Sequence, residues 1–152
     1  MSKRSVVHDS FTIERVYPAS PARVFKAWAS AESKARWFIG PGEWELFRRE
    51  LDFRVGGQEV LSGRMPGQQA HHFHAVYHNI VPDQRIVYSY HMLIGDAPIS
   101  GSLATVQIEP EGSGTRLTFT EQCAFLDGYD DRGSREQGTR QLLDNLGSWL
   151  AH

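Results

Sequence analysis

A chain of 152 residues, 40% hydrophobic and 22% charged, has the size and make-up of a single soluble domain spanning 1–152, with room in its core for a pocket. Its net charge of −2 and the lack of any basic run argue against a nucleic-acid partner. One cysteine, Cys123, excludes an internal disulfide; with no signal-peptide pattern and no apolar window of membrane-spanning length, the expectation is a cytoplasmic protein.

The first strand is predicted over about 11–17 (FTIERVY), with Phe11, Ile13, Arg15 and Tyr17 on one face. Ser20 followed by Pro21 reads as an N-cap and first helical residue, opening a short helix, PARVFKAWA, whose buried side is Val24, Phe25 and Trp28. Ser30 can cap a second short helix, AESKARWF, anchored by Trp37 and Phe38 and ended by IGPG.

From Glu43 to Phe125 the texture changes to strands separated by turn signals. Strands are predicted near 44–54, 58–64, 70–81, 85–93, 102–110 and 115–124. Between them stand Gly56-Gly57, Pro66-Gly67, Pro82-Asp83, Gly95-Asp96 and Glu111-Gly112-Ser113-Gly114. Six strands at hairpin spacing should form an antiparallel meander.

Residues 132–151 then read as one long amphipathic helix. Leu142, Leu143, Leu146, Trp149 and Leu150 share a face, with Thr139 near its centre and Arg135 one turn closer to the start. The class is α+β, with helices on one face of a seven-stranded antiparallel sheet.

This order, together with six local strings, resembles the SRPBCC or START-like superfamily, the helix-grip fold, and within it the AHSA-type group named for an activator of a heat-shock chaperone ATPase. The strings are IERVYPASPARVFKAW (13–28), RWF with a following Gly-Pro (36–41), DFRVGG (52–57), IVPDQRIVYSY (80–90), TRLTFTEQ (115–122) and GTRQLLDNL (138–146). The resemblance implies a curved sheet wrapped around the C-terminal helix, with a cavity between them that takes apolar or aromatic ligands. It implies no cofactor.

The sequence also departs from the AHSA-type pattern. Thr139 stands where a tryptophan is usual, Ser30-Ala31 where Asp-Pro is expected, and His78 or Asn79 where an acidic residue often follows. A hydroxyl replacing an indole on the helix face that meets the sheet should enlarge or polarise the pocket.

Three side chains are candidates for acid–base chemistry: Glu121, Arg15 and His78. Arg15 and Glu121 share inward parity on strands that the family makes neighbours. They can form an ion pair fixing strand register, or else a ligand clamp and a proton acceptor. Tyr88, Tyr90 and Met92 share a face with Ile86 and are the main candidates to line the cavity, joined by Thr139, Phe119, Trp44 and Trp149. Arg135 either guards the pocket mouth or is a solvated first-turn side chain.

No metal site is expected. His72, His74 and His78 share a strand face, but His74 to His78 spans about 13 Å, too far for one ion. Exposed strand histidines, or one lining the pocket, are the expectation. No GxSxG, P-loop, GxGxxG or HExxH string occurs. Cys123 shares the parity of Phe119 and Phe125 and is expected to be buried and inert.

Ligand binding is therefore the first functional expectation, with a possible homodimer as its assembly. The alternatives are a cofactor-independent cyclase or lyase using acid–base residues, and a chaperone-ATPase-activator-like interaction module. The fold alone does not choose among them.

Overall fold

Alternation of apolar and polar residues produces seven strands, which join in one antiparallel sheet. In the computed structural model, which describes residues 4–152, these are β1 (Val6–Tyr17), β2 (Glu45–Leu51), β3 (Gln58–Arg64), β4 (His71–Val81), β5 (Arg85–Ile94), β6 (Ala97–Glu111) and β7 (Gly114–Leu126). Their order across the sheet is β1-β7-β6-β5-β4-β3-β2. Six consecutive strands form a meander by short turns, and β1 closes onto β7, the last of them. Asp83 and Gly112, at two of the turns, take positive φ, matching the predicted breaks.

The strand bounds differ mainly at β6 and β1, which both start five residues earlier than the alternation predicts; β1 begins at Val6. Its first residues, Val6 to Ser10, are exposed and carry no inward apolar pattern. They are strand because they pair with β7, Val6 opposite Leu126 and Ser10 opposite Gln122. Backbone pairing extends the element where side-chain pattern cannot.

Two short helices, α1 (Pro21–Ala29) and α2 (Ala31–Trp37), follow β1. The Ser20 hydroxyl accepts from the Arg23 N–H, and Pro21 occupies the first turn, where no N–H partner is needed. Ser30 performs two jobs. Its backbone N–H closes α1 on the Lys26 carbonyl, and its side chain caps α2 by accepting from the Ser33 N–H.

Helix α3 (Arg132–Leu150) is capped by Asp131, whose carboxylate accepts from the Ser134 N–H. Its 19 residues span about 28 Å. It buries Arg135, Thr139, Leu143, Leu146 and Leu150. Near its C-terminal end α3 seats against β1: the Tyr17 hydroxyl donates to the Leu143 carbonyl at 2.8 Å. Gly147 permits that approach, since a Cβ there would sit 3.2 Å from the Tyr17 ring. The curved sheet gripping α3 is the helix-grip fold. No described helix is long and apolar enough to cross a membrane.

Candidate functional site

The two halves of α3 do different work. Leu146 and Leu150 are fully packed, whereas Ser134, Arg135, Gly138, Thr139 and Leu142 form one wall of a cavity of about 550 Å³. The facing wall is the inner side of the sheet: Phe73 from β4, Tyr88, Tyr90 and Met92 from β5, and Phe119 and Glu121 from β7. Trp28, Trp37, Phe38 and Trp44 close a third side, while the exposed Ile39 and Tyr129 lie at its rim. A Cβ built on Gly138 would meet nothing within 4 Å, so the helix has open space beside it at that turn.

Trp44, predicted to open a strand over 44–54, reaches the cavity from just outside the observed strand. It precedes β2 and lies over Gly40 and Gly63, where added Cβ atoms would come within 2.2 and 2.3 Å of its ring. Those two glycines let the indole fold in. His71, inward by parity with Phe73, lines the cavity beside Trp44, their rings 6.0 Å apart. Burial is the main reason its pKa falls below the usual imidazole value.

At one end of the cavity the lining turns polar. The Tyr90 hydroxyl donates to Glu121 Oε2 at 2.6 Å, and Arg135 Nη1 donates to Tyr90 Oη at 2.9 Å and to the same Oε2 at 3.2 Å. Arg135 Nη2 donates to Ser100 Oγ at 2.7 Å and to Asp130 Oδ2 at 2.9 Å. The Cys123 thiol adds a third donor to Oε2, at 3.2 Å. Burial pushes that thiol up to about 12, with the Glu121 charge contributing, so it stays protonated as a donor.

Burial works against a charged Arg135, but Tyr90, Glu121 and Asp130 more than offset it and raise its pKa. Tyr90 is held well above its ordinary value, first by burial and then by Glu121. Glu121 Oε2 thus takes three donors, while Oε1, also buried, has no partner among the described residues.

Three of the predicted site residues lie elsewhere. Arg15 does not meet Glu121. β1 and β7 are neighbours, but Arg15 stands opposite Leu117 and Phe11 opposite Glu121, an offset of four residues, about 13 Å. Arg15 pairs instead with Asp144 on α3, at 3.3 Å. His78 sits at a bulge between Tyr77 and Asn79, exposed on the outer face, its Nε2 2.6 Å from Ser89 Oγ. Trp149 is 36% exposed, near the end of α3, with the Arg36 guanidinium over its ring.

His72, His74 and His91 stay on the outer face too. His72 Nδ1 lies 2.8 Å from Ser62 Oγ, and His74 faces His91 at 5.1 Å between ring centroids. Among the described residues no three His, Cys, Asp or Glu side chains converge to hold a metal ion.

A second buried charge cluster escaped the sequence reading. Lys34 Nζ donates to Glu59 Oε1 at 2.6 Å, and the Tyr77 hydroxyl donates to the same oxygen at 2.6 Å. The rings of Trp28, Phe38, Tyr77 and Tyr88 surround the ammonium, which lies 4.5 Å from the Phe38 centroid. Burial drives the Lys34 pKa down, and Glu59 opposes it. The cluster ties α2 to β3 and β4 behind the cavity's aromatic wall.

Comparison with known proteins places this geometry in a family. The profile described as Activator of Hsp90 ATPase homolog 1-like protein matches residues 18–151. The chain belongs to this family. A protein of Rhizobium leguminosarum is 46% identical over 99% of both chains, with a TM-score of 0.94. One from Rhizobium loti is 49% identical, covering 96% of this chain and 99% of its own, with a TM-score of 0.90. One from Chromobacterium violaceum is 25% identical, covering 93% and 96%, with a TM-score of 0.75. No curated protein matches the chain.

Proposed function

We propose that this protein binds a small apolar or aromatic molecule in the cavity between the sheet and the N-terminal half of α3. One observation carries the reading. A space of about 550 Å³ falls within the roughly 300–1,000 Å³ usual for ligand sites, and aromatic rings on three sides converge on a few buried polar groups. A filled core of this size would bury those rings against each other instead.

Ligand binding to the folded state must raise its melting temperature, by the equivalent of about 2.7 kcal/mol at a hundredfold excess over Kd. A thermal-shift panel of aromatic compounds and a hydrophobic reporter dye is expected to contain stabilising ligands. Thr139→Trp should remove that stabilisation while leaving far-UV circular dichroism and cooperative thermal unfolding native. Thr139 lines the cavity, and its hydroxyl donates to the Arg135 carbonyl, a bond an indole can forgo on a helix. Undiminished ligand shifts in the variant would mean that binding occurs elsewhere.

Proton transfer is a second reading, favoured by the unpartnered Glu121 Oε1 in the cavity wall. Its check is deuterium uptake at an acidic C–H of a bound aromatic ketone. Wild type should accelerate uptake and Glu121→Gln should not; equal rates in the two would dismiss it.

A further inference from the structure

We infer that the cavity selects a neutral aromatic molecule carrying one O–H or N–H donor, which it receives on Glu121 Oε1. The inference rests on the binding proposed above and specifies its ligand class. Among the described residues only four buried side-chain polar atoms lack a partner: Trp28 Nε1, Trp44 Nε1, Glu111 Oε2 and Glu121 Oε1. Three of the four belong to residues lining this cavity. Glu121 is the one among those three that carries a formal charge, and the residue is 0% exposed.

A buried acceptor left without a donor is costly, and the protein has spent its nearby donors on the other oxygen. Arg135, Tyr90 and Cys123 all bond Oε2. What Oε1 can receive is a hydrogen from the occupant of the cavity. Flat rings from Trp28, Phe73 and Phe119 are in the wall to hold an aromatic body.

Charge decides between a neutral and an anionic ligand. Arg135 is the obvious attraction for a carboxylate, but it already bonds Glu121 and Asp130. One cation against two carboxylates leaves this end of the cavity formally negative. A ligand carboxylate would meet a repelling Oε1 and no uncommitted guanidinium edge of Nη1 or Nη2. A neutral phenol or indole meets an acceptor.

The test uses the full chain and three probes of one shape: naphthol, its methyl ether and naphthoate, titrated by calorimetry. Naphthol is expected to bind about tenfold or more tightly than the ether, as a hydrogen bond to a charged acceptor should give, with naphthoate weakest. In Glu121→Gln the side-chain oxygen can keep the Tyr90 and Arg135 bonds while the amide NH₂ takes the place of Oε1. The naphthol-to-ether ratio should then fall to within about twofold.

Equal binding of naphthol and ether by wild type overturns the inference, as does naphthoate binding best. Should none of the three bind while other aromatic compounds do, the inference also fails and the binding proposal stands. Should no compound of any kind bind, the binding proposal itself fails. If Glu121→Gln does not fold, the wild-type series decides alone.

Discussion

Lys34→Met is expected to destabilise the protein by about 3–5 kcal/mol, read as the loss in urea-unfolding free energy. Methionine keeps the length and most of the volume of lysine, so the loss does not come from a cavity. It comes from Glu59, which is 3% exposed and would retain only the Tyr77 hydroxyl as donor. A carboxylate so placed has no solvent to turn to, and the rings that now face the ammonium would face it. The double replacement Lys34→Met with Glu59→Gln should recover most of the loss, because it leaves no uncompensated charge and keeps an acceptor for Tyr77. A single-variant cost below about 1 kcal/mol would place the pair among solvent-screened surface bridges and contradict the burial.

This cluster also shows where reading the sequence stops. In AESKARWF the lysine has the spacing of a solvated face on a short amphipathic helix, and in QEVLSGR the glutamate opens an ordinary strand. Nothing in either string refers to the other. They meet because Lys34 on α2 reaches Glu59 on β3 and Tyr77 on β4, a contact fixed by tertiary packing and not by local periodicity.

Elements, by contrast, were legible. Strand alternation, turn residues and the Ser20 and Ser30 caps are local properties, and the structure follows them within a few residues except at the starts of β1 and β6. Face was legible too: Tyr88, Tyr90, Met92, Phe119 and Glu121 point inward as their parity requires, and Arg135 and Thr139 lie on the inner stripe of α3.

Register was not legible. Parity says which face Arg15 and Glu121 share but not how far apart they stand along it. The pairing of Val6 with Leu126 sets that distance. Helical projection likewise put Trp149 on the apolar stripe without revealing that it lies at the stripe's edge, partly exposed beside Arg36 while Leu146 and Leu150 are buried. His78 illustrates a third limit: it keeps the outer face of His72 and His74 as alternation requires, but the bulge beside it, which shifts the pairing between Tyr77 and Asn79, leaves no local signal.

Arg135→Leu is expected to cost about as much as Lys34→Met, again 3–5 kcal/mol, and here the loss reaches the cavity. Leucine suits the helix and its apolar stripe, so α3 should remain formed. The guanidinium, however, bonds two carboxylates and the hydroxyls of Tyr90 and Ser100. Asp130 is near the surface and can rehydrate once released. Glu121 cannot, and it keeps only the Tyr90 hydroxyl and the Cys123 thiol. The damage should therefore belong mainly to one carboxylate. Arg135→Leu combined with Glu121→Gln should be more stable than Arg135→Leu alone, although it carries one more substitution. An additive double variant would show that Arg135 matters for its packing against Tyr90 and Phe125 and not for its charge.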